Sequence, residues 1–185
     1  PGTGEVFTFG AFYKNFENPI EQIFSEGSGG ASTFSFQNAK KAITYGLEIE
    51  ARKKLNKYFT FQANGSLINS KIQDDNLKLD RQLQGQSPYL VNVGLLYDLI
   101  DKGFNATVLF NQIGERIYLV GDMQAGSASP DIYEAPRALV DFQMSKKFMK
   151  NKAEIKLTVS DILNQEQIFY QNLTSSAKYD KGTDA

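Results

Sequence analysis

The sequence contains no cysteine, no histidine and no tryptophan. The lack of cysteine and histidine excludes a disulfide framework, a Cys/His zinc site and any catalytic dyad or triad that needs either residue. No run of about 18 apolar residues occurs, which excludes a transmembrane helix. The charges nearly cancel, with 20 basic and 21 acidic residues, so the net charge favours neither nucleic acid nor acidic lipid as a partner.

The sequence is rich instead in aromatic residues that alternate with polar ones, with 14 phenylalanines and 9 tyrosines. From 43 to 51 the odd positions are apolar, while the even positions are Thr44, Gly46, Glu48 and Glu50. A period of two indicates a strand with one apolar and one polar face. The same pattern recurs and predicts seven strands, near residues 5–16, 41–53, 57–69, 88–98, 103–117, 136–148 and 152–163.

The links between these strands alternate between short and long. Short links lie near 53–57, 98–103 and 149–152, whereas long polar stretches fill 17–40, 69–87, 112–136 and 163–185. Successive links of an up-and-down meander fall at opposite ends of the sheet, so all the long loops gather at one end. Outer-membrane barrels have short periplasmic turns and long extracellular loops, and structureless loops of this length are uncommon in compact soluble domains.

The pattern therefore predicts an all-β fold, an antiparallel up-and-down transmembrane β-barrel segment of about seven strands from a larger barrel. The expected location is the outer membrane of a Gram-negative cell. In the strand at 89–97 the apolar face begins and ends with Tyr89 and Tyr97. These eight steps cover roughly 20 Å of height at a 40° tilt, close to the apolar band of such barrels.

Two acidic residues, Glu48 and Glu50, share the polar face of one predicted strand with Arg52. Paired carboxylates suggest a glycosidase, but acids among lysines and glutamines on neighbouring polar faces are more simply the wall of a wet lumen. We therefore predict no enzyme activity, no catalytic residue, no metal and no cofactor. Candidate ligand-binding residues on the lumen face or in the loops are Glu48, Glu50, Gln62, Asn64, Arg81, Asn92, Arg116, Tyr118, Tyr133 and Asp141. Solvation of a water-filled interior would equally explain these polar residues.

Three segments resemble TonB-dependent receptor barrels, particularly Bacteroidetes receptors that include the SusC-like branch. Residues 45–51 read Tyr-Gly-Leu-Glu-Ile-Glu-Ala, and a short turn and an aromatic strand follow at 53–60. Residues 81–89 resemble the loop-to-strand entry of a later strand in that family, and 161–165 resemble the ending of its penultimate strand. The resemblance extends over about residues 5–165 and depends on the order of these segments.

The resemblance implies a barrel of about 22 strands with a plugged lumen. Its extracellular loops would capture a scarce nutrient such as a siderophore, a cobalamin or a glycan, and TonB would energise uptake through an N-terminal box. The implied partners are the lipid bilayer and lipopolysaccharide, the rest of the barrel with its plug, TonB, and in the SusC-like branch a SusD-like surface lipoprotein. The chain contains no plug, no TonB box and no final strand with a terminal aromatic, so we expect a C-terminal fragment of the barrel.

Two other kinds of protein fit the same alternation. Another outer-membrane barrel, a porin or an adhesin, would have the same strands without the family segments. A soluble β-sandwich that binds carbohydrate would pack the Tyr and Phe faces on a second sheet rather than on lipid.

Overall fold

The computed structural model describes residues 4–26, 30–73, 81–122 and 130–171, and most of them lie in β-strands. Seven strands form one sheet in the order β1-β4-β5-β6-β7-β10-β11, and every neighbouring pair is antiparallel. Their bounds are Val6–Glu17 (β1), Lys41–Lys54 (β4), Phe59–Gln73 (β5), Tyr89–Leu99 (β6), Phe104–Ile113 (β7), Arg137–Phe148 (β10) and Ala153–Val159 (β11). The predicted all-β antiparallel meander is confirmed. None of the helical turns in the described part is long and apolar enough to cross a membrane.

The register of this sheet aligns most apolar positions of one face with apolar positions on the neighbouring strands. Ile49 lies opposite Phe9 and Gly65, and Val108 lies opposite Leu95 and Phe142. These side chains stay open, with Phe9 65% exposed and Ile49 47% exposed. No second layer of the described chain covers them, so this outward face buries its apolar surface only if the surroundings are hydrocarbon.

The short links are tight turns that end beside a row of aromatic rings. Asn56 Oδ1 accepts the backbone N–H groups of Tyr58 and Phe59 at 2.8 and 2.9 Å, which closes the link between β4 and β5. Between β6 and β7, a single 3-10 turn at 100–102 ends on Gly103 with φ 57°, a left-handed conformation that suits glycine. On the outward face, the Tyr97 ring centre lies 4.9 Å from that of Phe59 and 6.0 Å from that of Phe104. We call Phe59, Tyr97 and Phe104 the aromatic girdle.

The alternation predicts no strand within the long loops, and the structure differs there. The strands Ile20–Glu26 (β2), Ser32–Asn38 (β3), Arg116–Gly121 (β8), Ile132–Glu134 (β9) and Phe169–Gln171 (β12) form a second sheet in the order β12-β9-β8-β2-β3. Within it β2 runs parallel to β8. The strands are three to seven residues long, too short for a period-two pattern to stand out among Gly, Ser and Asn. The loop residues 27–29, 74–80, 123–129 and 172–185 lie outside the described residues.

The buried apolar clusters of the described chain lie at the long-loop end of the sheet. One joins Ile23, Ile117 and Val120 beneath Tyr133. The other joins Ala39, Ala42 and Ile72 with Phe16 and Leu83 packed against it. We call the second sheet together with residues 81–88 the loop cap. Burial of apolar surface between different loops is what stabilises this cap.

Candidate functional site

The polar face of the seven-stranded sheet holds the two predicted acids side by side. Glu48 lies opposite Gly10 and Ser66, and Glu50 lies opposite Thr8 and Asn64. These six residues line a shallow depression of about 250 Å³. Both carboxylates are exposed, so they remain hydrated and can accept hydrogen bonds from a hydroxyl-rich or cationic solute.

Three asparagines form a ladder across the centre of the polar face. The register places Asn92 on β6 directly opposite Asn64 on β5 and Asn111 on β7. Asn92 Nδ2 donates to Asn64 Oδ1 at 2.7 Å, and Asn111 Nδ2 donates to Asn92 Oδ1 at 2.5 Å. Each amide still has unused donor or acceptor capacity. The ladder therefore offers a solute a preorganised row of amide groups.

A second depression of about 320 Å³ adjoins the ladder and contains Gln62 and Asp141. Gln62 lies across Gly94, where a Cβ would fall 2.8 Å from Gln62 Cγ. The absence of a side chain at Gly94 therefore leaves the space that the Gln62 side chain occupies. Asp141 Oδ1 accepts the backbone N–H of Asp161 at 2.8 Å, which fixes the carboxylate on the wall of the depression.

At the long-loop end, Arg81 and Glu21 form a buried two-point ion pair. Arg81 Nη1 and Nη2 lie 2.9 and 2.7 Å from the two carboxylate oxygens of Glu21, and the side chains are 12% and 4% exposed. Gln84 adds to this contact: its amide oxygen accepts the N–H of Gln22 at 2.7 Å, and its amide nitrogen donates to the Tyr118 carbonyl at 2.8 Å. Residues 81–88 are therefore joined to both hairpins of the loop cap.

A second ion pair connects β8 and β9. Arg116 Nε and Nη2 lie 2.8 and 2.7 Å from Glu134 Oε2. The other carboxylate oxygen of Glu134 accepts a hydrogen bond from Gln167 at 3.1 Å. The stacked rings of Tyr133 and Tyr170, 5.7 Å apart, join β9 to β12. The described parts of the four long loops are thus connected to one another by hydrogen bonds and ion pairs.

Burial and charge shift three pKa values inside the loop cap. Burial raises the pKa of Asp131, although the Gly121 N–H and the Arg81 charge oppose that shift. Burial, together with the charges of Asp131 and Glu115, raises the pKa of Tyr133. Burial alone would lower the pKa of Arg81, but its hydrogen bond to Glu21 and the charge of Glu21 outweigh burial and raise it. Arg81 therefore stays cationic, while Asp131 gains protons more readily than an exposed aspartate.

The predicted residues separate into two groups in space. The sheet brings six of them onto its polar face: Glu48, Glu50, Gln62, Asn64, Asn92 and Asp141. The loop cap holds the other four: Arg81, Arg116, Tyr118 and Tyr133. Tyr118 is 48% exposed, and its ring centre lies 4.5 Å from that of Phe169. Across the described ranges no three acidic side chains converge as a metal site would require.

Sequence reasoning did not select Asn111, Glu21 or Glu134. Asn111 occupies a polar position of a predicted strand, so the register with Asn92 would have identified it once strand pairing was assigned. Glu21 and Glu134 lie in loops without periodicity, and their partners are distant in sequence. No local pattern could have shown that either one is buried against an arginine.

An open apolar face, an opposite polar face and interlocked loops at one end define a membrane-spanning β-barrel protein. The match to a family model identifies it further: the chain belongs to the outer membrane protein beta-barrel family, over residues 3–184. The protein is accordingly located in the outer membrane of a Gram-negative cell. No curated protein matches the chain.

Solved structures share this fold at low sequence identity. The copper transporter OprC is similar with a TM-score of 0.66 and 16% identity, over 93% of this chain and 25% of that one. The ferric enterobactin receptor PfeA from Pseudomonas aeruginosa, in two mutant forms, is similar with a TM-score of 0.60 and 17% identity, over 89% of this chain and 24% of that one. The chain thus spans about a quarter of the length of these structures.

Proposed function

We propose that the chain is the C-terminal part of a TonB-dependent receptor barrel that takes up a scarce nutrient. The observation that carries this proposal is the loop cap, in which loops from separate hairpins share buried ion pairs. A porin needs only a polar lumen, whereas a cap tied by Arg81–Glu21 and Arg116–Glu134 holds a shaped surface for ligand capture. TonB would act through regions of the whole protein that the described strands do not include.

The ligand that best suits the described residues is an organic molecule rather than a bare metal ion. Copper prefers imidazole, thiolate and thioether ligands, and the sequence has no Cys, no His and only three Met. The polar face offers carboxylates and amides, and the cap offers the exposed Tyr118–Phe169 ring pair. These groups suit a siderophore, a cobalamin or a glycan. If the ligand is a glycan, the protein would belong to the SusC-like branch and would have a SusD-like surface lipoprotein as its partner.

Within this proposal the candidate residues have different roles. The Glu48–Glu50 depression and the asparagine ladder line the ligand path on the lumen face. Arg81 and Arg116 hold the cap together, because both guanidinium groups already bind carboxylates. Tyr118 is the cap residue that contacts ligand.

An uptake assay tests the proposal. Cells that lack the protein should lose growth on one limiting nutrient among iron–siderophore, cobalamin and glycan. A plasmid copy should restore growth only when TonB is functional. Uptake that persists without TonB would indicate a porin. If cells that lack the protein grow normally on every nutrient but no longer attach to surfaces, the protein would be an adhesin.

A pair of variants tests the ladder within the same assay. Asn92→Leu removes both ladder hydrogen bonds and should lower uptake while the barrel still folds. Asn105→Leu changes the same residue type on the same face near the short links and should leave uptake unchanged. Equal losses from both variants would contradict a specific role for the ladder.

A further inference from the structure

Positive charge is concentrated at the short-link end of the sheet. Residues 52–58, 98–104 and 146–154 hold nine basic side chains and three acidic ones. The long stretches 17–40, 69–87, 112–136 and 163–185 hold seven basic and thirteen acidic residues. The short-link end of the sheet is therefore basic and the long-loop end acidic, although the net charge of the chain is only −1. We call the nine basic side chains the basic belt: Arg52, Lys53, Lys54, Lys57, Lys102, Lys146, Lys147, Lys150 and Lys152.

The charges of the basic belt are only partly offset by the described protein, where Glu154 lies opposite Lys147 across the β10–β11 pair. Eight of its members are exposed and Lys146 is half-buried. Within the described residues none of the nine takes part in a salt bridge. Nine basic side chains beside only three acidic ones repel one another, so an external anion bound there lowers the electrostatic free energy.

Two members of the belt lie on the lipid-facing side of the sheet. Lys53 lies opposite Phe61, and Lys146 lies opposite Phe104 and Ile155 on the outward face. The Lys146 ammonium donates to the Lys102 carbonyl oxygen, which holds it beside a short link. Lys146 therefore lies level with Phe104 of the aromatic girdle, and Lys53 lies level with Phe61, two residues farther from the links than Phe59. Lys53 reaches the level of the links only by extending its side chain past the girdle.

Aromatic rings and lysines side by side on the lipid-facing surface are typical of the interfacial layer of a bilayer. Aromatic rings of barrels lie at the interface between hydrocarbon and headgroups. Lysines at this level place their carbon chains along apolar surface and their ammonium groups among the headgroups. Short links face the periplasm, so the leaflet in contact with the belt is the periplasmic one.

We propose that the basic belt binds the anionic phosphate headgroups of phospholipids in the periplasmic leaflet, with Lys53 and Lys146 as its lipid-facing contacts. Lys53 and Lys146 lie on the face opposite the lumen residues and outside the loop cap, so their lipid contact does not depend on the proposed uptake. Each lysine near an anionic leaflet increases lipid affinity by about fivefold, equivalent to about 1 kcal/mol.

Matched pairs of charge-neutralising variants test the proposal. The whole barrel that contains this chain is placed in nanodiscs of mixed phosphatidylglycerol and phosphatidylcholine, and the lipid it retains is measured by native mass spectrometry. The wild type should enrich phosphatidylglycerol, and Lys53→Gln with Lys146→Gln should reduce that enrichment by about 25-fold. Lys14→Gln with Lys156→Gln removes the same charge from the polar face, opposite Thr44 and Ser145, and should leave the enrichment intact.

Other outcomes would overturn the proposal. Equal losses in both pairs would mean that only net charge matters, and no loss in either would mean that the belt does not contact lipid. Displacement of phosphatidylglycerol by soluble glycerophosphate at the same concentration would indicate a site for free phosphate instead of the leaflet. If the Lys53 and Lys146 variants fail to fold, the wild type still decides the matter, because its enrichment must fall as salt rises.

Discussion

An arginine on the outward face of β6 should destabilise the barrel in a way that depends on its depth. Val93 lies midway between Tyr89 and Tyr97, four residues from each, and Leu95 lies two residues from Tyr97. At about 3.3 Å per residue and a 40° tilt, Val93 is about 10 Å and Leu95 about 5 Å from the level of the aromatic girdle. Val93→Arg should therefore cost about 2–4 kcal/mol, and Leu95→Arg clearly less.

Leu96 provides the control, because it is the same residue type on the opposite face of the same strand. It lies opposite Thr60 and Thr107 on the polar side. An arginine there reaches water in the lumen and meets no hydrocarbon, so Leu96→Arg should cost at most about 1 kcal/mol. The order of destabilisation should be Val93→Arg, then Leu95→Arg, then Leu96→Arg.

Equilibrium urea titration of the whole barrel in phospholipid vesicles measures these differences. Far-ultraviolet circular dichroism follows the strands, and the unfolding midpoints are compared at equal slope. A Leu96→Arg variant as unstable as Val93→Arg would refute the assignment of the two faces. A Leu95→Arg variant less stable than Val93→Arg would refute the assigned depth.

Three further predictions concern the loop cap and the sheet. Arg81→Met should cost about 3–5 kcal/mol because it leaves the buried Glu21 carboxylate without its cation, with only the Gln84 N–H at 3.4 Å. A double-mutant cycle with Glu21→Gln, followed by hydrogen exchange of the cap, should show strong coupling, and additive effects would contradict the ion pair. The raised pKa of Asp131 means that this carboxylate binds a proton more tightly in the folded cap than in the unfolded chain. Cap stability should therefore fall as the pH rises above 3.8, the ordinary pKa of an aspartate. Hydrogen exchange measured against pH should show this fall, and Asp131→Asn should make it smaller. Gly46→Ala should destabilise the barrel by about 1–3 kcal/mol in urea titration. The added Cβ would lie 2.8 Å from a ring atom of Phe12 and would clash with the Leu67 carbonyl oxygen. Gly65→Ala is the control, because its Cβ meets only ordinary contacts and should leave stability nearly unchanged.

The lumen face and the loop cap differ in how far sequence predicts them. Glu48, Glu50, Asn64 and Asn92 alternate with apolar residues, so their common face follows from the period of the strand. Their mutual distances also required the pairing register, which a single strand does not specify. Asn111 shows this limit, because it belongs to the ladder only through its position opposite Asn92.

The loop cap could not be derived from local patterns. Arg81 and Glu21 are 60 residues apart and belong to different loops. The parallel contact of Ile23 with Val120 joins two hairpins that are far apart in the chain. Such contacts form because apolar loop residues at the same end of the sheet exclude water together, and that proximity exists only after the meander has formed.

The sequence by itself determined the strands, their two faces and the arrangement of short and long links. It could do so because alternation and link length are local properties that the backbone geometry converts directly into a two-faced meander. Only the tertiary structure decided that the long loops form a second sheet, that Arg81 and Arg116 are bound to acids, and that the lipid-facing lysines border the aromatic girdle. These features depend on register and on contacts between distant segments, and no local pattern encodes either.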